Sequence, residues 1–250
     1  MKAVVLLSGG LDSSTVLYQA KADGYKCYAI SFDYQQRHRQ ELQAAIAIAK
    51  IATATAHQIV SFDLRLWGGS ALTDQKIDLP ENRSLPEMSE SIPVTYVPAR
   101  NTIFLSFALS YAEAIAAERV YLGVNILDYS GYPDCRPDYI QAMQEVFRLG
   151  TKQGRHGQPI TIATPLITLK KTEIIQLGDR LGVPWEQTWS CYTSGTFEGT
   201  ASKPLACGVC DACRLRLAAF KELGRQDPIS YLSTGAKTSS QTSESTYVSP

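Results

Sequence analysis

Residues 2 to 14, Lys-Ala-Val-Val-Leu-Leu-Ser-Gly-Gly-Leu-Asp-Ser-Ser, constrain this chain more than any other stretch. Ala3 to Leu7 has the length and apolar character of a buried strand, and it stops at two glycines before a pattern that predicts a helix from about Ser13 to Asp23. That is a strand, a tight turn and a helix start. Gly9 and Gly10 can take backbone conformations closed to other residues, so successive N–H groups can turn onto one anion. The helix aims its unpaired N–H groups and positive dipole end at the same point. A phosphate chain fits there. The Ser8, Ser13 and Ser14 hydroxyls add donors, while Asp12 either holds a metal ion or caps the helix. No Gly-Lys-Ser/Thr closes the turn, so it is not the common P-loop. The plainer alternative is a capped turn that binds nothing.

The Ser8-Gly9-Gly10-Leu11-Asp12-Ser13 run resembles the SGGxDS loop of the ATP pyrophosphatases, which hold ATP by its pyrophosphate and transfer AMP to a substrate oxygen. The loop implies ATP chemistry and leaves the acceptor open among amide-forming synthetases, tRNA thiolases and nitrile-forming synthases.

At 250 residues the chain suits one α/β domain with a substantial core. Its 24 Lys and Arg balance 24 Asp and Glu, so there is no long-range pull on polyanions and nucleic acid is not an expected direct partner. No apolar run approaches the ~20 residues of a membrane helix, and the N-terminus enters a strand without a signal-peptide pattern. A cytoplasmic protein with no membrane partner is the expectation. In a reducing compartment the six cysteines point to metal ligands, catalytic groups or core positions before disulfides.

Further along, Lys26 to Phe32 predicts a second strand, with Asp33 at its end placed for a ribose hydroxyl or adenine amino group, or for a simple cap. A helix is expected from Arg39 to Ala52 and a third strand from His57 to Phe62. His38 reads as a base or as a hydrogen-bonding helix entrance. Asp63 to Thr95 reads as a long surface segment, and Val94 to Val97 as a short strand. Asn101 is the expected N-cap of an apolar helix running from Thr102 to Ala117. Arg100 before it suits a phosphate, a carboxylate or a surface ion pair.

Val120 to Val124 predicts another buried strand. The polar run after it, with Asp128, Tyr132 and Asp134, falls where open α/β sheets place ligands. Aromatics there can stack on a planar ring, and a carboxylate can take the paired donors of a guanine-like edge. Helices are expected from Asp138 to Leu149 and from Thr168 to Leu181, with a strand from Pro159 to Thr164 between them. Lys170 and Lys171 oppose the dipole at the start of the second helix, which suits a nearby phosphate.

Cys207, Cys210 and Cys213 follow C-x-x-C-x-x-C spacing, with Cys191 earlier across a Gly/Ser/Thr loop. Four thiolates can surround one ion at Zn–S distances of ~2.3 Å, forming a structural site. An iron–sulfur cluster and redox or sulfur-carrier thiols are the alternatives. A helix from Asp211 to Leu223 closes the fold. The predicted class is α/β, a doubly wound, mostly parallel sheet with a small C-terminal zinc-binding segment. The expected division is residues 1–190, the α/β domain; 191–224, the zinc segment; and 232–250, a disordered tail.

Taken together, Ser8 to Ser14, Phe32-Asp33-Tyr34 with Gln36-Arg37-His38, Val97 to Asn101, Ser130 to Arg136, Thr164-Pro165-Leu166 with Lys171, and the four cysteines are similar to the 7-cyano-7-deazaguanine synthases. That resemblance, from Lys2 to about Leu223, implies an adenine nucleotide α-hydrolase-like fold. It also implies an ATP-dependent C–N ligase that makes a nitrile from 7-carboxy-7-deazaguanine and ammonia, on the route to queuosine. Ser8, Gly9, Gly10, Leu11, Asp12, Ser13, Ser14 and Asp33 would hold ATP with Mg²⁺. Asp12, Lys171 and Arg100 would act in catalysis, and Asp128, Tyr132 and Asp134 would hold the deazaguanine. Cys191, Cys207, Cys210 and Cys213 would bind one structural Zn²⁺ in each subunit of a homodimer. Gln35 and Ala99 depart from the family pattern, each standing where glycine is expected.

Overall fold

Alternating apolar residues organise the first strand, and the rest of the sheet is built outward from it. In the computed structural model β1 (Lys2–Leu6) pairs with β2 (Lys26–Asp33) on one side and β4 (Arg119–Tyr121) on the other, all parallel. The edges are β3 (Ala56–Ser61) and β5 (Thr161–Ala163), giving the five-stranded order β3-β2-β1-β4-β5. The structure describes residues 1–37, 39–89, 91–127, 132–193 and 204–232. His38, Asp128 and the 233–250 part of the expected tail lie outside these residues.

The helices are α1 (Leu11–Ala22), α2 (Gln40–Ile51), α3 (Leu85–Ser89), α4 (Arg100–Ala114), α5 (Pro137–Gly150), α6 (Lys152–Arg155), α7 (Lys171–Leu181) and α8 (Asp211–Glu222). Both faces of the sheet are covered. Ala3 and Val5 pack with Val16 and Leu17 of α1, Ile48 of α2, Ile174 of α7 and Phe220 of α8. Val4 and Leu6 face Leu105 and Ala108 of α4 and Phe147 of α5. The period-two alternation of one strand thus divides the core into two layers. Strand order reverses between β1 and β4, and the crevice beyond their C-terminal ends is where such sheets bind ligands.

Several expectations change. Val94 to Val97 forms no strand: Pro93 and Pro98 bracket it, Tyr96 N–H donates to Pro93 O and Arg100 N–H to Val97 O, so the chain turns twice. The Asp63–Thr95 segment is not purely superficial, since Leu64, Ser70, Leu72, Thr73 and Thr95 are buried and Arg37 donates to the carbonyls of Asp74 and Ile77. Helix α7 begins only at Lys171, because Thr164 to Leu169 is used in two turns. Asn101 is not the N-cap of α4. Ala99 holds that position in the left-handed region at φ 53°, and Asn101 is buried within the first turn.

Candidate active site

The turn after β1 folds around its own hydroxyls. Ser8 N–H donates to Ser13 Oγ at 3.1 Å, the Ser8 and Ser13 hydroxyls lie 3.0 Å apart, and Gly10 N–H reaches Ser8 Oγ at 3.3 Å. No side chain caps α1, so Asp12 is not the capping residue. The two glycines differ in what requires them. Gly9 has φ +83°, and a Cβ there would stand 2.4 Å from both Ala45 N and Glu41 O of α2. Gly10 is extended, at φ −76°, a conformation open to any residue. Gly123, absent from the sequence reading, lets the chain beyond β4 approach the loop: a Cβ would meet Ser13 N at 3.2 Å.

A cavity of about 210 Å³ opens over this loop at the β1/β4 switch point. Ser8, Gly10, Leu11, Asp12 and Ser13 line it together with Arg100, Tyr132 and Lys171. Gly9 and Ser14 sit behind the wall, and Asp33 turns to its own loop, accepting from Gln35 N–H at 3.1 Å. Lys171 Nζ lies 2.8 Å from each Asp12 carboxylate oxygen. The expected pair of catalytic charges therefore meets directly.

Arg100 enters from the start of α4, with its guanidinium 5.7 Å from the centre of the Phe104 ring. Phe104 in turn stacks on Phe32 with centroids 4.0 Å apart. Burial pushes the neighbouring Tyr34 phenol up to about 12, so Tyr34 stays neutral beside Arg100. Asp134 is buried away from the cavity wall. Its Oδ2 accepts Asn101 N–H at 3.0 Å, and its carbonyl oxygen accepts Asn101 Nδ2 at 3.1 Å. The two bonds, both donated by Asn101, fix the first turn of α4 and the approach of Arg100. Tyr132 keeps its hydroxyl 2.8 Å from Thr95 Oγ1, tying the polar run to the 63–99 segment.

The cysteines assemble as the spacing predicts. The sulfurs of Cys191, Cys207, Cys210 and Cys213 all lie within 4.8 Å of one another. The 3.9 Å between Cys207 and Cys213 Sγ matches the ~3.8 Å edge of a tetrahedron built with 2.3 Å Zn–S bonds. Backbone N–H groups of Cys207 and Cys210 donate to the sulfurs of Cys191 and Cys207 at 3.3 and 3.4 Å. Such donors stabilise thiolates, and the donor set fits a structural metal.

This cluster is close to the cavity. Trp189 donates its backbone N–H to Gly9 O at 2.9 Å, and Trp189, Tyr192, Ala212 and Arg216 line the wall. Arg216 is fully buried and forks onto Asp227 at 2.7 and 3.0 Å. Sequence reasoning missed Glu41, Trp189, Tyr192 and Arg216. A charged residue inside an otherwise ordinary helix gives no local sign of what it faces, although an Arg among the apolar positions of α8 is a usable hint of a buried partner.

The family model described as "Queuosine biosynthesis protein QueC" matches residues 2–224. The chain belongs to that family. Among curated QueC-family relatives, 7-cyano-7-deazaguanine synthase of Nostoc punctiforme is 76% identical over 231 residues, covering 92% of this chain and 100% of that protein. The synthase of the same name from Hydrogenovibrio crunogenus is 53% identical over 93% of this chain and 96% of its own length. Among solved structures, NMN synthetase from Francisella tularensis overlaps 90% of this chain and 78% of its own, with a TM-score of 0.45 at 16% identity. Sequence, not that overlap, carries the family assignment.

Proposed function

We infer that the protein is an ATP-dependent ligase that converts 7-carboxy-7-deazaguanine and ammonia into 7-cyano-7-deazaguanine. The observation that carries this reading is one cavity lined by the phosphate-type loop, the Asp12–Lys171 pair, Arg100 and an aromatic wall, in a chain 76% identical to a synthase of that name.

A carboxylate oxygen is a poor leaving group, so it must first become an acyl-adenylate by attacking the α-phosphorus of ATP. The N–H groups and hydroxyls of Ser8, Gly10, Leu11 and Ser13 would hold the departing pyrophosphate, and Lys171 and Arg100 would offset the charge that develops. Gly9 and Ser14 support the loop from behind. Mg²⁺, when bound beside Asp12, would screen the phosphates. Ammonia then displaces AMP to give the amide, whose oxygen is adenylated in turn, and loss of the second AMP leaves the nitrile.

Tyr132, with Asp128 from the same run, is proposed to bind the deazaguanine. Asp134 would act there by positioning Arg100, and Asp33 at the edge of the nucleotide site. A zinc ion on the four cysteines would be structural, since all four positions are filled by protein. The 1–190 and 191–224 division serves as a functional one: a catalytic α/β body and a metal-tied wall. A cytoplasmic homodimer is in keeping with this reading.

A tRNA thiolase would share the first step but needs a reactive cysteine, and Cys135, the thiol on the cavity wall, is unsuited. Burial, then the neighbouring Asp134 carboxylate, pushes it up to about 12. The test is incubation with ATP, Mg²⁺, ammonium and 7-carboxy-7-deazaguanine, following base and nucleotide by mass spectrometry. Nitrile with AMP and pyrophosphate is the expected result. An unchanged base would overturn the reading, and ATP binding without consumption would make the protein a nucleotide-binding module.

A further inference from the structure

Both glycines of the loop after β1 lie along the backbone of Trp189. Trp189 N–H donates to Gly9 O at 2.9 Å, and a Cβ on Gly10 would stand 3.5 Å from Trp189 O. A trans peptide points its carbonyl and its N–H in opposite directions. Holding Gly9 O on Trp189 therefore turns Gly10 N–H the other way, where it meets Ser8 Oγ at 3.3 Å on the cavity wall. The peptide between two glycines is the easiest in the loop to flip, since no Cβ on either side resists it. Flipped, it would set a carbonyl oxygen instead of an N–H against a bound anion.

What keeps Trp189 in place lies behind the wall. Trp185–Gln187 form a single 3-10 turn, closed by the N–H and the hydroxyl of Thr188, which donate to Trp185 O at 3.1 and 2.7 Å. Thr188 Oγ1 accepts from Arg216 Nη1 at 2.7 Å, and Arg216 Nη2 donates to Trp185 O at 3.1 Å. Thr188 and Arg216 are each 2% exposed, and Asp227 compensates the buried guanidinium through Nε and Nη2. A planar fork tied to Asp227 on one edge and to the turn on the other cannot shift without breaking bonds to both. Trp189 and Arg216 line the cavity; Thr188 does not. We propose that Thr188 and Arg216 are positioning residues for the ATP loop: they hold the backbone of Trp189, and through it the Gly9–Gly10 peptide, with Gly10 N–H toward the outer phosphates of ATP. The inference rests on the reading of that loop as the pyrophosphate site. It gives α8, the helix that carries Cys213, a part in nucleotide binding.

The experiment is isothermal titration calorimetry of the full-length protein, Thr188→Val and Thr188→Ser with ATP, pyrophosphate and AMP, each in the presence of Mg²⁺. AMP lacks the two phosphates that the loop holds, so it serves as the internal reference. Thr188→Val keeps the shape of the side chain and loses its oxygen; ATP and pyrophosphate should each bind about 10-fold more weakly while AMP stays within about twofold. Thr188→Ser keeps the oxygen and should bring ATP back to within about threefold of the unmodified protein. Arg216→Lys keeps a cation for Asp227 but gives up the fork, and should show the same split between ATP and AMP if Thr188→Val folds poorly. Unchanged ATP affinity, equal losses for ATP and AMP, or no recovery in Thr188→Ser would overturn the positioning role. An unmodified protein that binds AMP as tightly as ATP is a different pattern: it would overturn the loop as the pyrophosphate site and this inference with it.

Discussion

Lys171 Nζ sits 2.8 Å from both carboxylate oxygens of Asp12, joining the first turn of α1 to the first residue of α7 across 159 positions of sequence. The side chains are only 10% and 17% exposed, so Asp12 relies on Lys171 to compensate its charge. Lys171→Met would leave Asp12 uncompensated and should cost about 2 kcal/mol, less than the ~3 kcal/mol of a fully enclosed pair. Asp12→Asn with Lys171→Met should restore most of that stability in urea melts. Activity should not return with it. Either single change should lower turnover by about 100-fold or more, and the double change should stay low, because the charges act on phosphate as well as on each other.

Ala99 and Gln35 stand in the left-handed region at φ 53° and 64°, the two positions where the sequence departs from the glycine that the family pattern leads one to expect. The chain keeps the glycine geometry without the glycine. Ala99 is exposed and only its Cβ would be lost, so Ala99→Gly should raise stability by about 1 kcal/mol. Gln35 accepts a hydrogen bond from Arg39, and Gln35→Gly should therefore gain less. Thermal melts of both variants provide the comparison.

Those residues also mark how far the sequence could be read. Short-range signals carried the loop, the alternation of β1, the cysteine spacing and the order of strands and helices, because each is set by residues within a few positions of one another. Asn101 looked like an N-cap for the same local reason. It is displaced because Asp134, 33 positions away, satisfies the helix N-terminus instead. Glu41, Arg216 and the Thr95–Tyr132 hydroxyl contact are likewise products of long-range packing, and nothing adjacent to them in sequence announces it.

The cysteine cluster should hold more than its own loop. Arg83 forks onto Asp211, the residue after Cys210, and Glu81 forms a β-bridge with Cys210. Both contacts tie the cluster to the segment that ends at Arg100. Metal removal by a chelator, or Cys210→Ser, should therefore speed hydrogen exchange across 81–97 as well as 204–213. Arg83→Met should loosen 81–97 alone. Elemental analysis should give one zinc per chain, and iron in its place would change the assignment of the site.

Burial holds His57 below its ordinary value. The Ser31 hydroxyl donates to Leu7 O, so it accepts from His57 Nε2, 2.7 Å away, which places a proton on Nε2. The unfolded chain binds a proton more readily near pH 6.5 than the folded one does. The stabilising contribution is thus complete above that pH and diminishes as pH falls toward the lower folded value. Urea melts at pH 7.5 and 5.5 should show the loss, and His57→Gln should reduce the difference between them.

Cys135 separates the ligase from a sulfur-transferring relative by a simple chemical criterion. Its thiol lines the cavity, yet burial raises it to about 12, so at pH 8 the thiolate fraction is on the order of 10⁻⁴. Asn101 Nδ2 donates to the sulfur at 3.4 Å, a contact that holds the side chain without activating it strongly. Iodoacetamide at pH 8 should leave Cys135 unmodified in the folded protein, as read by peptide mass spectrometry. Cys135→Ala should keep turnover within about threefold, since only a buried weak contact and a small packing volume are lost. A persulfide carrier behaves in the opposite way on both counts: it alkylates readily, and its loss abolishes transfer.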